Sequence, residues 1–541
     1  PRTNRVDLRL PVGGVPHGLV AAGGNLWLTA AAAEVSHRGG TLTVLGSVEP
    51  TIDPAVQYTA LLRLTNDGLV TVRPAAGAAG TALVPDLAAA IPTPVDGGRT
   101  YAFHLRKGIR YSTGAPVLAS DFRRAVERQF RVTEAARPDY YAGIRGTAAC
   151  AKVPTTCDLS RGIVADDATG ALTFHLDAPD GEFLYKLSLT FAAPVPQDTP
   201  DHDIGTSPAP ATGPYRIARF VPSTLVEFVR NPHFREWSRA AQPDGYPDRI
   251  VFRQSGDAGD LDQVLSGKAD LLVGPPSQRM PELITRYPAQ LHRSLGPFLF
   301  HMAFKTTAAP FNDRQARQAL SYAVDQRQLV EALGGAKAAQ GTCQILPPTF
   351  PGYAPYCPYR RDTARAHRLV AQSGTAGRPV TVVVPRFAKD VGPYFVKVLR
   401  SLGYRARLSV LADDHYFDTV YGPHPPGELV FNGWGPDYPA ASSYIDPVAG
   451  CPDPAPSKNS TNIGRFCDRT VQAQIQEALA LQQTEPAEAG RRWKQIDRAL
   501  VDRAAVLPMA FAVDLVVTSR RTGNYVYQPG YGVLLDQLWV R

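Results

Sequence analysis

"NGWGPDYPAASSY", residues 432–444, sets one carboxylate, Asp437, between a Trp-Gly-Pro turn and a Tyr-Pro step. The run before it, "ELVF" at 428–431, is mostly apolar and β-prone, so the spacing predicts a short buried strand that ends in this loop. Gly435 and Pro436 stop the strand. Two readings of Asp437 stay open at this level. It is the capping carboxylate of a surface turn, or it anchors a positively charged ligand group with Trp434 and Tyr438 as walls.

The sequence around this stretch alternates. "PVTVVVP" at 379–385 is a second buried strand, and a helical pattern at 392–402 separates it from "ELVFNGW". That order predicts a βαβ-rich lobe. Upstream, Asn312 is placed to cap a helix carrying Ala316, Leu320 and Ala323, and Asp325 to cap the next, which stops at Gly334 and Gly335. Downstream, Asp468 opens a helix with Val471, Ile475 and Leu479 on one face. "AVLPMAFAVDLVVTS" then returns as strand. Nearer the start, "GGTLTVLG" is a strand leaving through the Pro-bearing loop 47–53. "TYAFHLRKGIRYS" alternates as strand. Ser120 reads as the N-cap of a helix whose buried stripe is Phe122, Val126 and Phe130.

The first 38 residues stand apart. "RVDLRLPVGGVPHGLVAAGGNLWLTA" holds two strand-like runs, 6–12 and 19–29, joined through Gly13, Gly14 and a Pro16-His17-Gly18 corner. The pattern resembles part of a β-propeller blade, and a plain N-terminal hairpin packed on the main body fits it equally.

The chain has 541 residues and a formal net charge of +8, too long for one core. Arginine dominates the basic residues, which are scattered without interleaved aromatics, so no nucleic-acid partner is expected. No apolar run approaches the roughly 20 residues of a membrane span. Six cysteines fall as close pairs, Cys150 with Cys157, Cys343 with Cys357 and Cys451 with Cys467, each bracketing a loop-like stretch. Local disulfides are expected, and with them an oxidising, extracytoplasmic setting. His415 beside Asp413 and Asp414, and His202 between Asp201 and Asp203, read as solvated loop residues. No metal and no cofactor is expected, and no nucleophile–base motif marks an enzyme.

Five stretches in order resemble the extracellular solute-binding proteins of family 5, the oligopeptide-, dipeptide- and nickel-binding receptors of ABC importers. They are "GGTLTVLGSVEPTIDPA", "LVPDLAAAI" with "GGRTYAFHLRKGIRYSTGAPVLASDFRRAVER", "ATGPYRIARFVPSTLVEFVRNPHF", "PFNDRQARQALSYAVDQRQLV" and "NGWGPDYPAASSY". The resemblance implies an α/β, two-lobe periplasmic-binding-protein-like clamp of type II with an extra subdomain inserted in lobe one. Lobe one would hold 39–296 and 508–541, with the insertion at about 57–200; lobe two would hold 297–507; residues 1–38 would be the blade-like fragment or hairpin.

In peptide-binding relatives the Asp of the W-x-x-D segment pairs with the ligand's α-ammonium group, which by position is Asp437. The resemblance therefore implies a cleft where Glu49, Asp53 and Tyr58 face Lys305, Asn432, Trp434, Asp437 and Tyr438. Lys305 departs from the family's usual Asn, and a cation there disfavours an amine. The implied function is a monomeric receptor for a peptide or other amine-bearing solute, partnered by an ABC permease and anchored through a part N-terminal to this sequence. The alternative is the ligand-sensing or docking domain of a larger membrane-anchored regulatory protein.

Overall fold

A computed structural model of the chain describes residues 14–22, 25–32, 37–57, 60–452 and 461–541. β1 (Gly14–Ala22) and β2 (Asn25–Ala32) pair antiparallel as a sheet of their own. The pairing of Ala22 with Asn25 puts the reversal inside the second strand-like run, at the Gly-Gly-Asn turn that the sequence offers there. Residues 6–12 lie outside the described residues.

β3 (Thr41–Gly46) follows, with Leu42 and Val44 fully buried. β4 (Val70–Val72) and β5 (Leu83–Pro85) form a small antiparallel pair. β6 (Thr100–His104), β7 (Ile163–Asp166) and β8 (Ala171–His175) make a three-stranded sheet in the order β6-β8-β7. Tyr101, Phe103, Leu172 and Phe174 of this sheet share one core with Phe122 and Val126 of the helix Ala119–Arg131. Ser120 lies inside that helix and does not cap it. Its N–H and hydroxyl both donate to Asp167 at 2.8 Å, while Asp121 accepts from the Leu118 N–H at 2.9 Å.

β9 (Tyr215–Val221), β10 (Leu225–Arg230) and β11 (Arg249–Gln254) run antiparallel, and β11 joins β3 in parallel. β12 (Leu271–Val273) flanks β3 on its other side. β13 (Leu291–Phe304) is the longest strand, and the short β14 (Ala339–Gly341) follows it. β15 (Pro379–Pro385), β16 (Arg405–Leu411) and β17 (Leu429–Trp434) are mutually parallel through β15. Val380, Val382, Val383 and Val384 are all fully buried, as a strand covered on both faces requires. β18 (Val506–Thr518) closes the set.

One sheet runs β16-β15-β17-β13-β18-β12-β3-β11-β10-β9, with β14 also on β18. Among the described residues, β13 and β18 are the strands of this sheet that pair in both of its halves. The start of β13, Leu291–Leu295, pairs with Val517–Val513 of β18. Its end, Leu299–Phe304, pairs with β17 and with the start of β18. The register slips between Leu295 and Leu299, so the ladder is interrupted where the chain passes from one half to the other.

Three disulfides, Cys150–Cys157, Cys343–Cys357 and Cys451–Cys467, pair the cysteines locally. Asp313, one residue beyond Asn312, caps the helix Arg314–Ala323 by accepting from the Ala316 N–H at 3.0 Å. Asp325 and Asp468 cap their helices through two backbone N–H groups each.

Candidate ligand site

β15 and β17 are parallel, so their carboxyl ends open on the same side of the sheet, where open α/β sheets bind ligands. At the end of β17, Gly433 lies beneath the ring of Phe298. A Cβ there would fall 2.3 Å from that ring, so any larger residue would displace Phe298. Beyond it the loop folds back on the helix Ser442–Ala449. The Trp434 Nε1–H donates to the Ser443 carbonyl at 2.6 Å, and the Asp437 N–H donates to Ser443 Oγ at 2.9 Å. These bonds hold Trp434 and Asp437 in a fixed relation.

The loop then docks on the unit built around β6-β8-β7. Tyr438 and Ala440 are buried in the same apolar core as Tyr140, Tyr141 and Leu184. The Tyr438 ring stacks on Tyr185 at 5.8 Å and meets Tyr140 edge-on at 6.1 Å. Burial followed by the charge of the nearby Glu182 carboxylate holds its phenol far above the usual range. Glu182 itself is raised by burial, against the pull of Lys186.

Asp437 stays about one-third exposed, and Arg137 Nη1 lies 3.3 Å from its Oδ1. Arg137 is fixed on three sides. Its guanidinium lies over the Tyr140 ring at 3.6 Å, and Nε and Nη2 donate to Asp139 at 3.2 and 3.0 Å. Burial followed by the nearby Asp437 charge raises the Tyr140 hydroxyl. The group carries two carboxylates against one guanidinium, so it attracts one further positive charge.

The other sequence-selected residues sit elsewhere. Asn432 is buried within β17, its Oδ1 accepting from the Tyr421 hydroxyl at 3.2 Å and the Gly433 N–H at 2.9 Å. Lys305 follows Phe304, which pairs with Leu429, whereas Trp434 pairs with Leu299. Lys305 and Asp437 therefore mark opposite ends of the β13–β17 ladder, and Lys305 Nζ turns toward the Pro425 carbonyl at 3.5 Å. Asp53 is fully buried. Arg128 donates Nη1 and Nη2 to its Oδ1 (3.0 Å) and Oδ2 (2.7 Å), and the Ala55 and Ile204 N–H groups donate at 2.8 and 2.9 Å. Its oxygens are thus spent on fixing the 47–55 loop. Glu49 is partly exposed and its carbonyl accepts from the Ser223 N–H at 3.1 Å. Tyr58 lies outside the described residues. Among the described residues, no group of three or more His, Cys, Asp or Glu side chains converges as a metal site.

The profile of the bacterial extracellular solute-binding proteins, family 5 middle region, matches residues 82–455. The chain belongs to this family. Heme-binding protein A of Haemophilus influenzae is 24% identical over 471 residues, covering 82% of each chain. Di/tripeptide-binding protein 1 of Pseudomonas aeruginosa is 23% identical over 472 residues, covering 80% of this chain and 81% of its own. Among solved structures, clavulanic acid biosynthesis oligopeptide binding protein 2 superposes with a TM-score of 0.83 at 27% identity, over 93% of this chain and 96% of that one. The fold of this family-5 chain is accordingly the two-lobe type. The names of these relatives range from heme to di- and tripeptides, so membership alone does not fix the ligand.

Sequence reasoning named Trp434, Asp437 and Tyr438 but not Arg137, Tyr140, Tyr185 or Glu182, which the fold brings beside them. The segment "RPDYYAG" at 137–143 carries a cation beside two tyrosines. That density of aromatic and charge in a short turn was the available signal.

Proposed function

We propose that this chain is an extracytoplasmic receptor, not an enzyme, that closes its lobes over a small polar solute. The best-fitting class is a peptide or other amine-bearing compound, and the partner is an ABC permease. Lobe one comprises residues 39–296 and 508–541 and lobe two 297–507, with the hinge at the interrupted register of β13. Asp437 is the ammonium anchor, Trp434 and Tyr438 wall it, and the β6-β8-β7 unit supplies the opposing face.

The observation that carries this reading is the state of Asp437. Its backbone N–H is held by Ser443, and its carboxylate is partly open and already holds a positively charged group, Arg137. A site that fits a guanidinium against a carboxylate and an aromatic face fits an ammonium by the same electrostatics. Three disulfides suit an oxidising compartment. The matches to relatives run over about four-fifths of both chains, which favours a receptor over a docking module of a regulatory protein.

The test is a thermal-shift panel of tri- and tetrapeptides, their N-acetylated forms, sugars and divalent metal salts. Free peptides are expected to raise the unfolding midpoint, since a ligand at 100 times its Kd adds about 2.7 kcal/mol. Acetylation, which removes the ammonium, is expected to abolish the shift. Equal shifts from free and acetylated peptides would contradict the assignment.

A further inference from the structure

A second carboxylate, on a crossing strand, faces a cavity with no cation beside it. Asp514 lies on β18, opposite Ser294 of β13 and next to the interrupted register. Gly296 passes over it, where a Cβ would lie 3.1 Å from both carboxylate oxygens. The cavity it faces measures about 460 Å³, within the range of small-molecule sites. It opens at the carboxyl ends of the parallel strands β3 and β12, through Ser47, Val273 and Gly274. Leu64, Phe252, Val513, Val516 and Leu534 give it apolar walls, and Val273 at its rim is 46% exposed.

The charges of this cavity are unbalanced. Arg63 and Asp536, both buried, pair with each other at 3.4 Å, and Arg63 lies under the Tyr531 ring. Asp514 has no such partner. Its Oδ2 accepts from the Tyr527 hydroxyl, and among the described residues no donor reaches its Oδ1. Asp514 is the exposed residue of β18, although protein crowds much of its surroundings. That crowding raises its carboxyl above the usual carboxylate range, and the Tyr527 bond opposes the rise.

We propose that Asp514 anchors a cationic group whose hydrocarbon or aromatic body fills this cavity, so that the ligand carries an apolar amine or guanidine in addition to any ammonium held at Asp437. An uncompensated carboxylate among the apolar walls of a pocket selects that combination. A purely apolar group leaves Asp514 unpaired, and an acid repels it. The assignment rests on the receptor reading but concerns a different carboxylate, so the two fail separately.

Phenethylamine and 3-phenylpropionate, titrated by calorimetry into the whole protein, provide the test. Phenethylamine is expected to bind, 3-phenylpropionate to bind at least tenfold more weakly, and Asp514→Asn to weaken the amine about tenfold. Asn retains the acceptor for Tyr527. Val273→Trp, which fills the mouth without touching Asp514, is expected to block phenethylamine as well, and Asp437→Ala is expected to leave it unchanged. Failure of phenethylamine to bind the unmodified protein, equal binding of amine and acid, or undiminished binding in Asp514→Asn overturns the proposal. Loss of phenethylamine binding in Asp437→Ala with retention in Asp514→Asn also overturns it, while leaving the Asp437 reading intact. A response at Asp514 with no response to any peptide would instead sustain this site and remove the peptide reading.

Discussion

Arg137 Nη1 lies 3.3 Å from Asp437 Oδ1, joining the β6-β8-β7 unit to the loop that leaves β17. The anchor expected to await a ligand's ammonium is therefore engaged by a cation of the chain itself. A ligand reaching Asp437 has to displace this guanidinium or share the carboxylate with it, and displacement accounts for the pairing most simply.

Displacement has a sign. Both partners are about one-third exposed, so solvent screening limits the pair to about 0.2–1 kcal/mol. Arg137→Gln is therefore expected to tighten the binding of a free-amino peptide by up to about fivefold, read by calorimetry. Weaker binding in this variant would mean that Arg137 positions the carboxylate and does not compete for it.

Asp53 and Arg128 are expected to matter for stability. Both are essentially inaccessible, and Asp53 has four donors. Arg128→Ala strands a buried carboxylate, with an expected cost of about 3–5 kcal/mol in urea unfolding. The double variant Asp53→Asn/Arg128→Ala is expected to lose less than the sum of the single variants. Loss of ligand binding without loss of stability would return Asp53 to the site.

The buried carboxyls Asp67 and Asp86 make stability depend on pH. Burial raises Asp86 to about 7 against the pull of Arg63, and burial with the Asp86 charge raises Asp67 well above its ordinary value. The folded state thus retains protons that the unfolded chain releases near pH 4, and stability is lost as pH rises through about 7. His301, lowered to about 4 by burial, acts in the opposite sense below pH 6.5. The difference between the parent and Asp86→Asn isolates the carboxyl contribution. Between pH 5 and 8 the unfolding midpoint is expected to fall less in Asp86→Asn than in the parent.

Local pattern carried much of the fold. The run Val380–Val384 announced a strand buried on both faces, Asp325 and Asp468 announced helix starts, and each cysteine pair lay close enough in sequence to bridge a loop. Side chains whose partners come from distant segments were harder to read. Asp53 looked like a loop carboxylate because its partner, Arg128, sits on a helix whose apolar stripe drew attention to Phe122 and Val126. Lys305 and Asp437 both flank the β13–β17 ladder, and only the antiparallel register reveals that they flank opposite ends. Arg137 follows no period at all. Asp514 interrupts the apolar run "AFAVDLVV" where β18 is exposed, so local pattern alone reads it as a solvent-facing strand position.

The central claim, an ammonium group held at Asp437 between closing lobes, is tested most directly by titrating trialanine and N-acetyl-trialanine into the parent and Asp437→Ala proteins. The account predicts that trialanine binds the parent, that acetylation weakens it at least tenfold, and that Asp437→Ala weakens it by about 1.5–3 kcal/mol, the contribution of a hydrogen bond to a charged group. Equal affinity of trialanine for both proteins would contradict the claim.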